Sequence, residues 1–263
     1  VHPIERLRYV ARAGGVDQGE LVREAAAALS GLSDDPGGLI MSCRRLLARH
    51  PTAGALWYLS ARMLTGDPRA EAWNVTEELE HDATPRHLAR LLPEEAQLTV
   101  VGYPELTALA LPKRGDVEVL AVDAGGDGAQ LARRLRGADV EAIDVPDAGV
   151  AAAVAASQVV VLEASCLGPG GFVAATGSRA AAAVARQAGV PVWLVVGVGR
   201  ALPPRFWDAA IAGLGGEEPW EEPEELVPLE LVDRAVAPDG GHPAVDLTGR
   251  ADCGPVPELL ERQ

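Results

Sequence analysis

Lysine is all but absent from this chain: Lys113 is the sole one, and the 23 basic residues face 38 acidic ones for a formal charge of −15. Nucleic-acid affinity rests on neutralising phosphates with Lys and Arg, so the balance argues against a nucleic-acid partner. Cysteine is scarce as well. Cys43, Cys166 and Cys253 are widely spaced and odd in number, with no Cys-x-x-Cys or Cys/His cluster, which disfavours structural zinc and a disulfide framework. The five histidines, at 2, 50, 81, 87 and 242, have no metal-like spacing. No metal and no cofactor are expected. No apolar run approaches the ~18 residues of a membrane span. Glu5, Arg6 and Arg8 interrupt the first residues, so no secretory signal is visible there. The expectation is a cytoplasmic protein with no membrane partner. The abundance of Ala, Gly and Arg beside one lysine points to a high-GC bacterial genome.

What is present is ample apolar content, 48% of residues, enough for a sizeable core. Leu21, Val22, Ala25, Ala28 and Leu29 fall on one helical stripe, and Leu39, Ile40, Cys43, Leu46 and Leu47 on another. Asp67-Pro68 and Thr84-Pro85 read as helix starts, and Thr52 reads as a cap for the helix that carries Leu56, Leu59 and Met63. From Leu98 onward, strands alternate with helices. Strands are predicted at 98–103, 117–122, 139–143, 158–163, 191–197 and 231–237, and helices at 104–111, 127–136, 147–156, 177–188 and 205–213. The fold class is therefore α/β: an N-terminal helical subdomain (1–95), a Rossmann-like parallel-sheet domain (96–240) and a C-terminal tail (241–263). The Gly/Glu/Pro-rich stretch 215–226 reads as an exposed loop.

The most informative segment is 158–200. Val159 to Leu162 and Val192 to Val196 are continuous apolar runs, as expected of strands covered on both faces. Between them lie a glycine loop and a helix start at Thr176-Gly177-Ser178-Arg179. Free N–H groups and the helix dipole favour an anion there, and Gly177 permits close approach. An ordinary N-cap by Thr176 or Ser178 explains the same residues. Gly197-Val198-Gly199-Arg200 reads either as a second wall with a guanidinium for a phosphate or as a plain turn.

The order of these segments resembles the regulatory-subunit family of translation initiation factor 2B, which includes the methylthioribose-1-phosphate and ribose-1,5-bisphosphate isomerases. In that family a strand ends in Gly-Ala-Asp, a Gly-Gly turn follows, and Asn-Lys-x-Gly-Thr opens the helix. Glu163-Ala164-Ser165, Gly170-Gly171 and Ala174 to Ser178 stand for these here. His50-Pro51-Thr52-Ala53 is similar to the family's Arg-Pro-Thr-Ser/Ala segment, and Glu225 to Asp233 to its C-terminal segment. Thr99 to Tyr103 resembles the strand that precedes the isomerases' catalytic Cys, yet Tyr103 or Pro104 occupies that place. Leu120 to Gly126 resembles the strand ending in Glu-Ser/Thr-Arg-Pro, without the Arg. The resemblance runs over roughly residues 9 to 240.

The resemblance implies dimerisation through the C-terminal half and a cleft for a phosphorylated small molecule. It does not carry the activity across, since Ser165 replaces the catalytic Asp and no Cys follows the earlier strand. Each positioned acid or base is worth roughly 10² to 10⁴ in rate. The expected function is thus a non-catalytic initiation factor 2B-like protein that binds a phosphorylated sugar or nucleotide in a regulatory or assembly role. Its ligand residues would be Thr176, Gly177, Ser178, Arg179, Ser165, Tyr103, His50 and Arg200. The alternative is a divergent aldose–ketose isomerase using Cys166, Glu163 or Asp123. Cys166 also reads as a small buried hydrophobe, and Glu163 as a cap or ion-pair partner.

Overall fold

The computed structural model describes residues 17–260. The readings that fall on 1–16 and 261–263, namely the absent signal, His2 and the two chain ends of the proposed division, lie outside the described residues.

Aspartates start three of the first helices. Asp17 accepts from the N–H of Glu20 at the head of α1 (Gln18–Leu29), and Asp35 from Gly38 at the head of α2 (Pro36–Arg49). α3 (Gly54–Thr65) is buried from Gly54 through Ala61. It has no side-chain cap, since Ala53 stands at the cap position, and the Thr52 hydroxyl expected to supply one donates to Glu224. Asp67 caps α4 (Pro68–Glu80) by accepting from Ala70. The apolar stripes of α1 to α4 close one core.

α5 (Thr84–Leu91) packs elsewhere. Its Leu88 and Ala89 join the core of the sheet, so the helical layer ends before residue 95. The sheet contains β1 (Gln97–Val101), β2 (Glu118–Val122), β3 (Glu141–Val145), β4 (Val159–Glu163), β7 (Val192–Val195), β9 (Arg234–Ala237) and β10 (Gly240–Pro243). Their order is β3-β2-β1-β4-β7-β9-β10. All neighbours are parallel except β10, which runs antiparallel to β9 and carries the sheet past the expected boundary at 240 to Pro243.

Register explains the unbroken apolar runs. Leu98 stands beside Val119 and Val159, and Val100 beside Ala121 and Val161. These residues face a core shared with α5, α6 (Glu105–Ala110) and α7 (Asp127–Arg136). Val160, Leu162 and Leu194 face the other core, with α8 (Val150–Ala156) and α9 (Ser178–Ala188). Both faces are covered, as parallel strands require.

A second sheet went unread in the sequence. β5 (Cys166–Gly168), β6 (Gly171–Ala175) and β8 (Glu224–Pro228) form an antiparallel trio in the order β5-β6-β8. The expected glycine loop is thus a hairpin, and the stretch expected to be an exposed loop through 226 becomes a strand at Glu224. α10 (Pro204–Ile211), expected within the sheet domain of 96–240, packs on the helical core: Phe206 stands 4.9 Å from Trp57, ring centre to ring centre. Val256 and Leu259 of the tail are buried in that core as well.

Candidate functional site

Strand order reverses between β1 and β4, and ligands of such sheets occupy the crevice beyond the carboxyl ends of the strands there. Glu163 ends β4. Its carboxylate accepts from the N–H of Leu106 (3.2 Å) and from the N–H and hydroxyl of Thr107 (3.0 Å each), so it caps the start of α6. Arg200 donates to the same carboxylate at 3.0 Å and to the Ala164 carbonyl at 2.7 Å, and it is ion-paired with Glu105. Its side chain is 5% exposed. A guanidinium so enclosed and already paired with two carboxylates is not a free arm for a phosphate.

Glu105 completes this node by accepting from the Gln18 N–H at 2.6 Å, which ties α1 to the sheet. Burial, reinforced by the carboxylates of Glu163 and Asp17 and opposed by Arg200, pushes the Glu105 carboxyl up to about 8. A cavity of about 360 Å³ opens beside it, walled by the start of α1, the end of α4, α6 and the loop through Val198 and Arg200.

A second cluster lies at the end of β6. The Ser165 and Thr52 hydroxyls both donate to Glu224, and the Ser165 carbonyl accepts from Gly54 N–H (3.1 Å) and Gln18 (2.9 Å). The adjacent Glu225 reaches the head of α9, where its Oε1 accepts from the N–H of Gly177 (2.7 Å) and of Arg179 (3.0 Å). Gly177 has φ +100°, the left-handed region that glycine tolerates. The helix start read as an anion seat is thus filled by a carboxylate of the chain itself. Thr176 is tied by its N–H to the Pro223 carbonyl and by its hydroxyl to that of Glu222, and Ser178 is buried.

The other residues singled out in the sequence are spread more widely. Tyr103 accepts from Arg134 at 2.7 Å, turned toward α7. Asp123 accepts from Gly126 and Gly128 (3.1 Å each) and so shapes the head of α7. His50 closes α2. Cys166 is wholly buried, and burial, then the nearby charge of Glu224, pushes its thiol upward, away from the nucleophilic thiolate. Among the described residues no group of three or more His, Cys, Asp or Glu could hold a metal ion. Sequence reasoning missed Glu105, Glu224 and Glu225. Glu225 lies 48 residues from the amide it caps, and no local pattern joins the two.

Solved structures match this architecture closely in shape and distantly in sequence. One is translation initiation factor eIF-2B of Pyrococcus horikoshii OT3, 14% identical over 91% of this chain and 96% of that chain, with a TM-score of 0.80. The chain has the initiation factor 2B fold. A tetrameric eIF2B beta–delta complex of Chaetomium thermophilum matches at 18% identity over 94% and 92%, TM-score 0.72. The 5-methylthioribose 1-phosphate isomerase of P. horikoshii OT3 matches at 13% over 92% and 84%, TM-score 0.67. No family model matches the sequence, and no curated protein is significantly similar to it. Within the initiation factor 2B fold, Ser165 and the alanines Ala174 and Ala175 stand at the strand ends where the sequence resemblance put the isomerases' Asp and Asn-Lys.

Proposed function

We propose that the protein is a non-catalytic initiation factor 2B-like protein of the cytoplasm, which binds a phosphorylated sugar or nucleotide and acts as a regulatory or assembly subunit. The observation that carries this reading is Ser165, whose hydroxyl is spent on Glu224 and which the sequence resemblance aligns with the isomerases' acid. A serine hydroxyl does not exchange protons at neutral pH as a carboxyl does. The substitutes are committed elsewhere: Cys166 to the core, Glu163 to α6 and Arg200, Asp123 to α7.

Ligand binding in this cleft requires exchange with Glu225. The phosphoryl group takes over the N–H groups of Gly177 and Arg179 as that side chain swings out, so the free cleft is self-capped. Glu225→Ala is therefore expected to bind a phosphorylated pentose more tightly than wild type. Amide NMR reads this directly: the Gly177 and Arg179 signals move at lower ligand concentration in the variant. Signals that stay fixed in both proteins would sink the ligand part of the reading.

The assembly part takes the form of a homodimer through the C-terminal half, where Trp220 is 70% exposed and Leu226 40%. Light scattering at micromolar concentration is expected to give twice the chain mass, and a single-chain mass would remove the dimer. Divergent isomerisation remains the second reading, favoured by one feature, a Glu224 carboxylate within hydrogen-bonding reach of Ser165.

A further inference from the structure

We propose that the protein carries a separate site for a small, multiply charged oxyanion of the phosphoryl type, in a groove at the amino-terminal ends of the strands, between α5 and the loops that lead into β1 and β2. The groove has a volume of about 690 Å³. Arg86 and Arg90 line it from α5, and Lys113, the chain's one lysine, lines it from the turn before β2.

Arg86 and Arg90 stand four residues apart on α5, so their side chains share one face of the helix. Neither they nor Lys113 has a hydrogen bond or ion pair among the described residues. Arg62, Arg114, Arg200 and Arg250, by contrast, are each held by carboxylates. In a protein of net charge −15, three unpaired cations around one concavity are not needed for folding, and two guanidinium forks with an ammonium match a phosphoryl group.

Arg114 makes the groove rigid. Its guanidinium donates to the carbonyls of Ala89 (2.8 Å), Leu92 (2.7 Å) and Pro93 (2.8 Å) and to both oxygens of Asp116 (2.7 Å each). The end of α5 and the turn before β2 are thereby clamped together, and the charges of Arg114 and Asp116 are spent on each other. Glu94 and Glu95 also line the groove. They offer acceptors to ligand hydroxyls and repel a continuous phosphate chain, which sets a polynucleotide aside. The cleft at β4 offers glutamates where this groove offers free cations, and the two sites stand or fall separately.

The test is calorimetric titration of inorganic pyrophosphate at low ionic strength into wild type, the Arg86→Ala/Arg90→Ala pair, Lys113→Ala, and Arg45→Ala/Arg49→Ala as a charge-matched control on α2. Wild type and control are expected to bind alike, and the α5 pair to bind about tenfold to a hundredfold more weakly, the range for lost charged hydrogen bonds. Lys113→Ala is expected to give a smaller loss. All these residues are on the surface, and circular dichroism checks that each variant is folded. Absence of binding to wild type, or equal weakening by the α5 pair and the control, would overturn the site. Either result leaves the Gly177 amide experiment untouched.

Discussion

Arg200→Met is expected to lower folding stability by about 3–5 kcal/mol at pH 9, where the folded chain holds Glu105 as a carboxylate, the cost of stranding a buried charge by removing its partner. The substitution keeps the apolar stem and removes only the guanidinium. Glu163 retains Leu106 and Thr107, while Glu105 keeps little beyond the Gln18 N–H. The loss should grow with pH. The Glu105 carboxyl lies at about 8 in the folded chain, above its value in an unfolded one, so the fold is favoured by the protonated form. That contribution is full below the ordinary carboxyl range and disappears as pH rises through about 8. Arg200 holds the carboxyl down, so its removal moves the window upward and makes the alkaline side costlier. Urea denaturation at pH 6 and pH 9 checks both size and sign. A loss under about 1 kcal/mol at both would mean that Arg200 is solvated like a surface arginine.

Gly128→Ala is the other large effect. A Cβ there would stand 2.7 Å from the Asp123 Cα, 2.7 Å from the Val122 carbonyl oxygen and 2.8 Å from the Asp123 nitrogen. All three are backbone atoms at the end of β2, so no rotamer change can relieve the contact and α7 must lift away from the sheet. Leu131, Ala132 and Leu135, all fully buried, would lose packing with it. A loss at or above the upper end of the ~1–3 kcal/mol typical of overpacking is expected. Gly115→Ala is the matched comparison, since nothing lies within 4 Å of its added carbon. Thermal unfolding should show a marked drop for Gly128→Ala and little change for Gly115→Ala.

Much of the architecture was legible because it is written locally. Continuous apolar runs such as Val159 to Leu162 announce strands buried on both faces, and Asp67-Pro68 announces a capped helix that the structure contains. The small sheet was not legible. β5 is three residues long and ends in glycine, and β8 opens in a run of Glu and Pro with poor strand propensity, so pairing with β6 rather than local preference makes them strands. The packing of α10 and of Val256 against the helical layer is likewise a long-range outcome.

The site divides along the same line. That a helix starts beside Gly177 and that an anion suits it follow from the sequence. That the anion is Glu225 depends on where β8 lies, and β8 was read as loop. The Gly-x-Gly-Arg segment reads either as a phosphate partner or as a plain turn, because the sequence shows the charge of Arg200 but not its burial. Glu105 and Glu163, which enclose that charge, come from the head of α6 and the end of β4, distant in sequence from Arg200.

Whether the protein turns over a sugar phosphate is read by phosphorus NMR of a phosphorylated pentose incubated with it. The aldose phosphate is expected to persist without conversion over many hours, in wild type and in Ser165→Ala alike, while its signal broadens or shifts on binding. Growth of a ketose phosphate signal in proportion to protein concentration, abolished by Cys166→Ser or by Glu224→Gln, would contradict the non-catalytic reading.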